Sequence, residues 1–237
     1  MLKIDNSIKR KNLPNHILEH LSFTDTDQVK FGVFGSTFVM LDLLIILPLL
    51  FPYHELSFWL TIPFLLLINL WALTMLLRKA EGLHFEFILF VGCLGAVGSL
   101  CYFILVQKIA YIVLNIHSNN FFVMSLIIYL AFFLFQIWFQ NKKYCSINSD
   151  FLQFKDMPWH FKALTWSVPL GYIIAHYFIS KSEVIMTTIM LLVYLMFSIF
   201  FTYVSVKFFH RYLFMKANSH FLEIPGEYKK TKKGAIH

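Results

Sequence analysis

Charge is what this chain has least of. Asp, Glu, Lys and Arg make up 14% of its 237 residues, against 58% hydrophobic, and the mean hydropathy is +0.66. Soluble domains carry about a quarter charged residues, so a water-soluble globule is excluded. Cysteine is scarce as well. Cys93 and Cys101 sit in a hydrophobic run and Cys145 in a basic loop, a spacing that offers no disulfide framework. They read as small buried hydrophobes plus one free thiol. No cleavable leader is expected from what is visible: residues 1–30 are polar and mixed in charge, with no early apolar core. The first span is therefore expected to serve as an uncleaved signal-anchor. The chain also lacks a G-x-S-x-G elbow, a phosphate-cradling glycine loop and a His/Asp/Glu cluster inside the apolar runs. An enzyme is not expected, and no metal or other cofactor is assigned, the many Phe residues reading as lipid-facing or core filler.

What the chain does have is long apolar runs. A spanning helix needs about 20 such residues, and six runs reach or approach that length: 33–51, 57–77, 87–106, 121–139, 163–179 and 184–208. The fifth is the shortest and is interrupted by Pro169, with Trp159, Phe161 and Trp166 as interfacial anchors. Lys and Arg alternate strictly across the connections. The N-terminal tail holds five, the second connection Arg78 and Lys79, the fourth connection four, and the segment from Lys207 onward seven. The intervening connections hold none, Lys108 and Lys181. The positive-inside rule then places both termini in the cytoplasm. The expected architecture is an all-α, six-span bundle in the cell membrane over 31–208. A cytoplasmic tail precedes it over 1–30 and a basic one follows over 209–237. The net charge of +7 is thus a topology signature and not a sign of nucleic-acid binding.

Inside the first run stands one carboxylate. Asp42 lies 12 residues beyond Lys30, about 18 Å up a helix and so near the midplane of a core about 30 Å thick. Inserting it costs about 2.5–3.5 kcal/mol, which 13 Leu, Ile, Phe and Val residues between Val33 and Phe51 outweigh at about 0.3–0.6 kcal/mol each. A polar group at that depth belongs in the bundle interior. The same depth count brings Asn69, Tyr129, Tyr172, Tyr194 and Ser198 to its layer. The expected role is a neutral or water-linked Asp42 bonded to Asn69 or a tyrosine, holding helix registry, with a proton or cation site as the alternative. In the third run, Gly92, Gly95, Ala96 and Ser99 form a small-residue face suited to close helix packing or to a partner helix.

The tails carry weaker signals. "PNHILEHL" reads as an amphipathic helix with Ile17, Leu18 and Leu21 on its apolar side, lying along the membrane surface. Its "HILEH" matches the H-x-x-E-H pattern of inverted zinc metallopeptidases in His16, Glu19 and His20, but no third ligand is evident, so a surface helix is the reading. Thr24 and Asp27 stand at capping-box spacing before the first span. The last span is expected to run on as helix until Pro225 and Gly226, and "YKKTKKGAIH" reads as a solvated tail.

Two functions follow by elimination. The first is a non-enzymatic bacterial immunity or accessory protein that binds a membrane-active toxin, or assists a secretion partner, within the bilayer. Composition rich in Phe, Ile, Lys and Asn, similar to AT-rich bacterial coding, agrees with it. The second is a transport subunit. Six spans, both ends inside and an amphipathic N-terminal helix resemble ABC-2-type exporter permeases, but those have an elaborate re-entrant connection before the last span, where this chain has only "SKSE". The intramembrane Ser–His arrangement of rhomboid-like proteases and the D-G…A-R…D pattern of phospholipid-head transferases are missing. The implied partners are the lipid bilayer and a membrane protein or toxin, with a homo-oligomer as a further arrangement. Single cysteines at positions 54, 118 and 182 are expected to react with a membrane-impermeant label in intact cells, and those at 80, 145 and 230 to stay unmodified. Labelling of the second set overturns the orientation.

Overall fold

The computed structural model describes residues 3–4, 10, 13–23, 26–79, 82–145 and 182–222. Among these the chain is all-α, with no strand. A short helix α1 (Asn15–Leu21) precedes α2 (Thr26–Phe34), which passes through a π-helical stretch (Gly35–Leu43) into α3 (Leu44–Leu50). Then come α4 (Glu55–Leu77), α5 (His84–Lys108) with a π-helical extension (Ile109–Val113), α6 (Asn119–Cys145) and α7 (Glu183–Ala217). Five stretches are long and apolar enough to cross a membrane: Gln28–Leu50, Glu55–Leu77, His84–Val113, Asn119–Tyr144 and Glu183–Ala217. The expected fifth span, 163–179, lies outside the described residues, as do Thr24, Tyr172 and the Pro225–Gly226 stop.

Local chemistry sets the breaks. Phe51 is extended (φ −128°, ψ 118°), as the residue before a proline prefers, and this ends α3 at Leu50. The His54 side chain then caps α4 by accepting from the Ser57 amide, with Glu55 in the first turn beside the positive helix end.

The third span is the centre of the bundle and the most buried of the five. One side of α5 packs on α2, α3 and α4. The other meets α7 along the most extensive interface in the molecule. Small residues make this possible. A Cβ at Gly95 would lie 2.6 Å from Ser205 N and 2.8 Å from Ser205 Cα, and one at Gly98 would lie 2.6 Å from the Phe201 ring. Gly92 packs against Phe209. The small-residue face is therefore used within the chain, which takes Gly92, Gly95 and Ser99 out of any partner surface. Large apolar side chains such as Leu66, Leu67 and Leu70 on α4 and Leu134 and Trp138 on α6 point outward, as lipid-facing positions do.

Three expectations need correction. The third helix does not stop at Val106 but stays helical to Val113, about 45 Å. Lys108 is consequently no loop cation: it is buried, and its Nζ donates to the carbonyls of Pro48 (2.6 Å) and Leu49 (2.9 Å). These are carbonyls that the end of α3 leaves without helical partners. The apolar side of α1 is turned into the protein and not left open to lipid. Ile17 and Leu21 are buried in a cluster with Ile88, Tyr144, Phe214 and Met215 at the end of the bundle. Arg211 of α7 clamps it there, donating to the carbonyls of Glu19, His20 and Ser22, a basic cap on a negative helix end. Finally, α7 ends at Ala217, short of Pro225. Asn218 leaves helical geometry, and its side chain accepts from Ile4 N (2.8 Å) while donating to Phe214 O (2.9 Å).

The Gly95 contact generates a prediction. Gly95→Ala places a methyl group against helix backbone that cannot yield, an overpacking that costs about 1–3 kcal/mol. Gly35→Ala meets no atom within 4 Å and is expected to be neutral. Thermal unfolding in detergent distinguishes the two, and an unaffected Gly95→Ala protein would refute the close approach.

Candidate functional site

The polar side chains of the bundle interior form the candidate site. The structure sorts them into two groups and does not join them by hydrogen bonds among the described residues. The first group lies between the first two spans. Asn69 of α4 donates through Nδ2 to Asp42 Oδ1 at 3.0 Å, and to the Leu65 carbonyl one turn earlier, also at 3.0 Å. Asn69 Oδ1 is buried and has no partner. Asp42 is half-buried and stands in the π-helical stretch, where the wider turn changes which carbonyls are bonded. One of these, Met40 O, accepts from the hydroxyl of the buried Tyr102 on α5 at 2.8 Å.

The second group ties α5 to α6 and α7. Ser99 Oγ shares a 2.8 Å hydrogen bond with Tyr129 OH, donates to Ser198 O at 3.0 Å and touches Thr202 Oγ1. Ser198 Oγ returns a bond to Ser99 O at 3.0 Å, and Thr202 Oγ1 donates to Ser198 O at 2.8 Å. Ser99, Ser198 and Thr202 are all nearly fully buried. Tyr194 enters by its ring alone, stacked on Tyr102 at 5.9 Å. Gly95 brings α7 close enough for these short side chains to meet.

No family model, curated protein or solved structure matches the chain.

The chemistry must therefore be read from the geometry. The hydroxyls of the second group bond to carbonyls and to one another, and among the described residues none bonds to a histidine or carboxylate that would activate it as a nucleophile. Nor do the described residues contain a cluster of three or more His, Cys, Asp or Glu able to hold a metal. Of the "HILEH" histidines, His20 faces His210 instead, Nε2 to Nδ1 at 3.2 Å, with Tyr144 stacked on it at 3.9 Å. Burial, then His210 and the cation Arg211, hold the His20 imidazole far below the usual histidine range and keep it neutral. What the interior offers is helix registry and one carboxyl with a single side-chain partner.

Sequence reading missed Thr202, Tyr102 and the structural use of Lys108. A signal existed for the first, since Ser198, Thr202 and Ser205 repeat at helical spacing and present one polar stripe. Tyr102 stands one turn from Ser99, and its hydroxyl reaches across to the Met40 carbonyl of the first span, a contact that no spacing within α5 signals.

The Asp42–Asn69 pair sets a test. Asp42→Asn keeps an acceptor for Asn69 Nδ2 and brings a donor toward the unpartnered Asn69 Oδ1, so stability is expected to hold. Asp42→Leu removes the bond and is expected to cost about 1–2 kcal/mol, the scale of intramembrane hydrogen bonds. Unfolding in detergent reads both. Loss of function in a stable Asp42→Asn protein would instead assign the carboxyl a proton or cation role.

Proposed function

We propose that this chain is a non-catalytic binding protein of the cell membrane, of the bacterial immunity or accessory type, which engages a membrane-active toxin or a secretion partner inside the bilayer. In this reading it has six spans, with 163–179 as the fifth, and both termini are cytoplasmic. The supporting observation is α6. One side of it packs on α7, its Tyr144 joins the buried cluster around α1, and polar links tie it to α5, Tyr129 to Ser99 and Ser125 to Gln107 (2.9 Å). Along most of its length it stands exposed, with Val123, Ile127, Leu130 and Leu134 turned outward. A long apolar helix that packs along one side and is left uncovered along the other by the described residues can take a partner helix without dismantling the core. The hydroxyls of Ser99 and Ser198 meanwhile are spent on helix-to-helix bonds, as a scaffold requires.

The transport reading draws on a different observation, the Asp42–Asn69 pair in a π-helical stretch, because intramembrane carboxylates mark proton and ion paths in many carriers. One experiment separates the two. A bacterial host sensitive to membrane-active peptides, made to express the protein, is expected to survive concentrations that kill the parent strain. Ile127→Trp and Leu134→Trp should abolish that protection while leaving the protein in the membrane. No protection, together with export driven by an ATPase encoded beside the gene, would overturn the proposal in favour of transport.

A further inference from the structure

We infer that the cavity between α6 and α7, at the end of the bundle where α1 docks, is a binding site for an anionic phospholipid. The cavity measures about 470 Å³, within the range of pockets that take small amphiphiles. Its lining changes character along the helices. Phe133 and Ile137 of α6 and Phe209 of α7 form an apolar limb that runs toward the middle of the bundle. Gln140 and Asn141 of α6 and His210 of α7 form a polar end. From Phe133 to Asn141 the helix rises about 12 Å. The lining is mostly apolar, Leu213 beside His210 included, with a small polar patch at Gln140, Asn141 and His210, and it suits an amphiphile whose apolar part is the larger.

The polar end is built and unfilled. Gln140 is 2% exposed and His210 8%, yet Gln140 Oε1 and His210 Nε2 make no hydrogen bond. Buried polar atoms are almost always partnered, and two orphans beside one cavity call for a ligand with hydrogen-bonding capacity of its own. His210 is held in place from its other nitrogen, which faces His20 Nε2. None of the described lining residues is acidic. Lys143, Lys207 and Arg211 lie close enough to His20 to act on it electrostatically, and Lys142 follows the lining residue Asn141. Basic pockets between spanning helices recognise anionic headgroups in this way. The carboxamides of Gln140 and Asn141 supply donors for phosphate oxygens. A headgroup that also carries hydroxyls, as phosphatidylglycerol does, returns a donor to Gln140 Oε1 once the carboxamide turns into the cavity. The acyl chain lies along Phe133, Ile137 and Phe209. Ile137 adjoins the outward face of α6 on which the proposed function rests, but lipid binding is read by itself, without reference to protection from peptides.

The test uses the full-length protein purified in detergent. It is titrated with phosphatidylglycerol, with phosphatidylcholine of the same acyl chains, and with inorganic phosphate. Native mass spectrometry reads bound lipid and thermal unfolding reads stabilisation. Phosphatidylglycerol is expected to stay bound and to raise the unfolding temperature, while the other two do neither. Gln140→Leu keeps the side-chain volume and removes an orphaned polar atom, so it should fold and bind at least about tenfold more weakly, the loss of one hydrogen bond to a charged group. Ile137→Trp fills the apolar limb and should lose binding as well; if it fails to fold, Gln140→Leu decides alone. Three results overturn the site: phosphatidylcholine binding as well as phosphatidylglycerol, inorganic phosphate stabilising as strongly as the lipid, or a folded Gln140→Leu protein that binds phosphatidylglycerol like the wild type.

Discussion

The approach of α5 to the backbone of α7, at a point where a Cβ on Gly95 would lie 2.6 Å from Ser205 N, is the contact on which the rest of the bundle depends. In lipid no hydrophobic force draws helices together, because acyl chains are as apolar as leucine. Association has to come from dense packing and from polar groups that find each other. Glycine supplies the first by letting the backbones close. Once they have closed, side chains as short as those of Ser99, Ser198 and Thr202 reach across and supply the second. A larger residue at Gly95 would separate the helices and strand those hydroxyls at the same time. The other spans then gather on this pair, α2 to α4 on α5, and α6 on α7 with a link to α5 through Tyr129.

Cations at the two ends of the bundle obey one rule. Lys108 places its ammonium on the last carbonyls of α3, and Arg211 its guanidinium on the last carbonyls of α1. Each satisfies acceptors that a helix end leaves open and complements the negative end of the helix dipole. Lys108 bonds across from another helix and Arg211 reaches back nearly the whole chain to residue 20. They therefore fasten elements that the sequence keeps apart. The proposed binding function sits on this frame without drawing on it, since the outward face of α6 takes little part in the packed core.

Hydropathy along the chain was enough to show an all-α membrane protein, since the bilayer demands a long apolar helix wherever the backbone crosses it. Depth counting was enough to put Asp42 and Asn69 at one level, because a helix rises by a constant amount per residue. The spacing of Gly92, Gly95 and Ser99 was enough to mark a face for close approach. All three are properties of one helix and one solvent. What received that face was left open between a neighbour in the chain and a second protein, and only the packed structure gives it to α7. Only the tertiary structure turned Lys108 from a loop charge into a buried cap, packed the apolar side of α1 onto Phe214 and Met215, and separated Asp42 from the Ser99 network. These outcomes depend on which helices are neighbours and at what rotation. That is set by the fit of whole surfaces and by the pairing of distant polar atoms, and no period within a single helix encodes it.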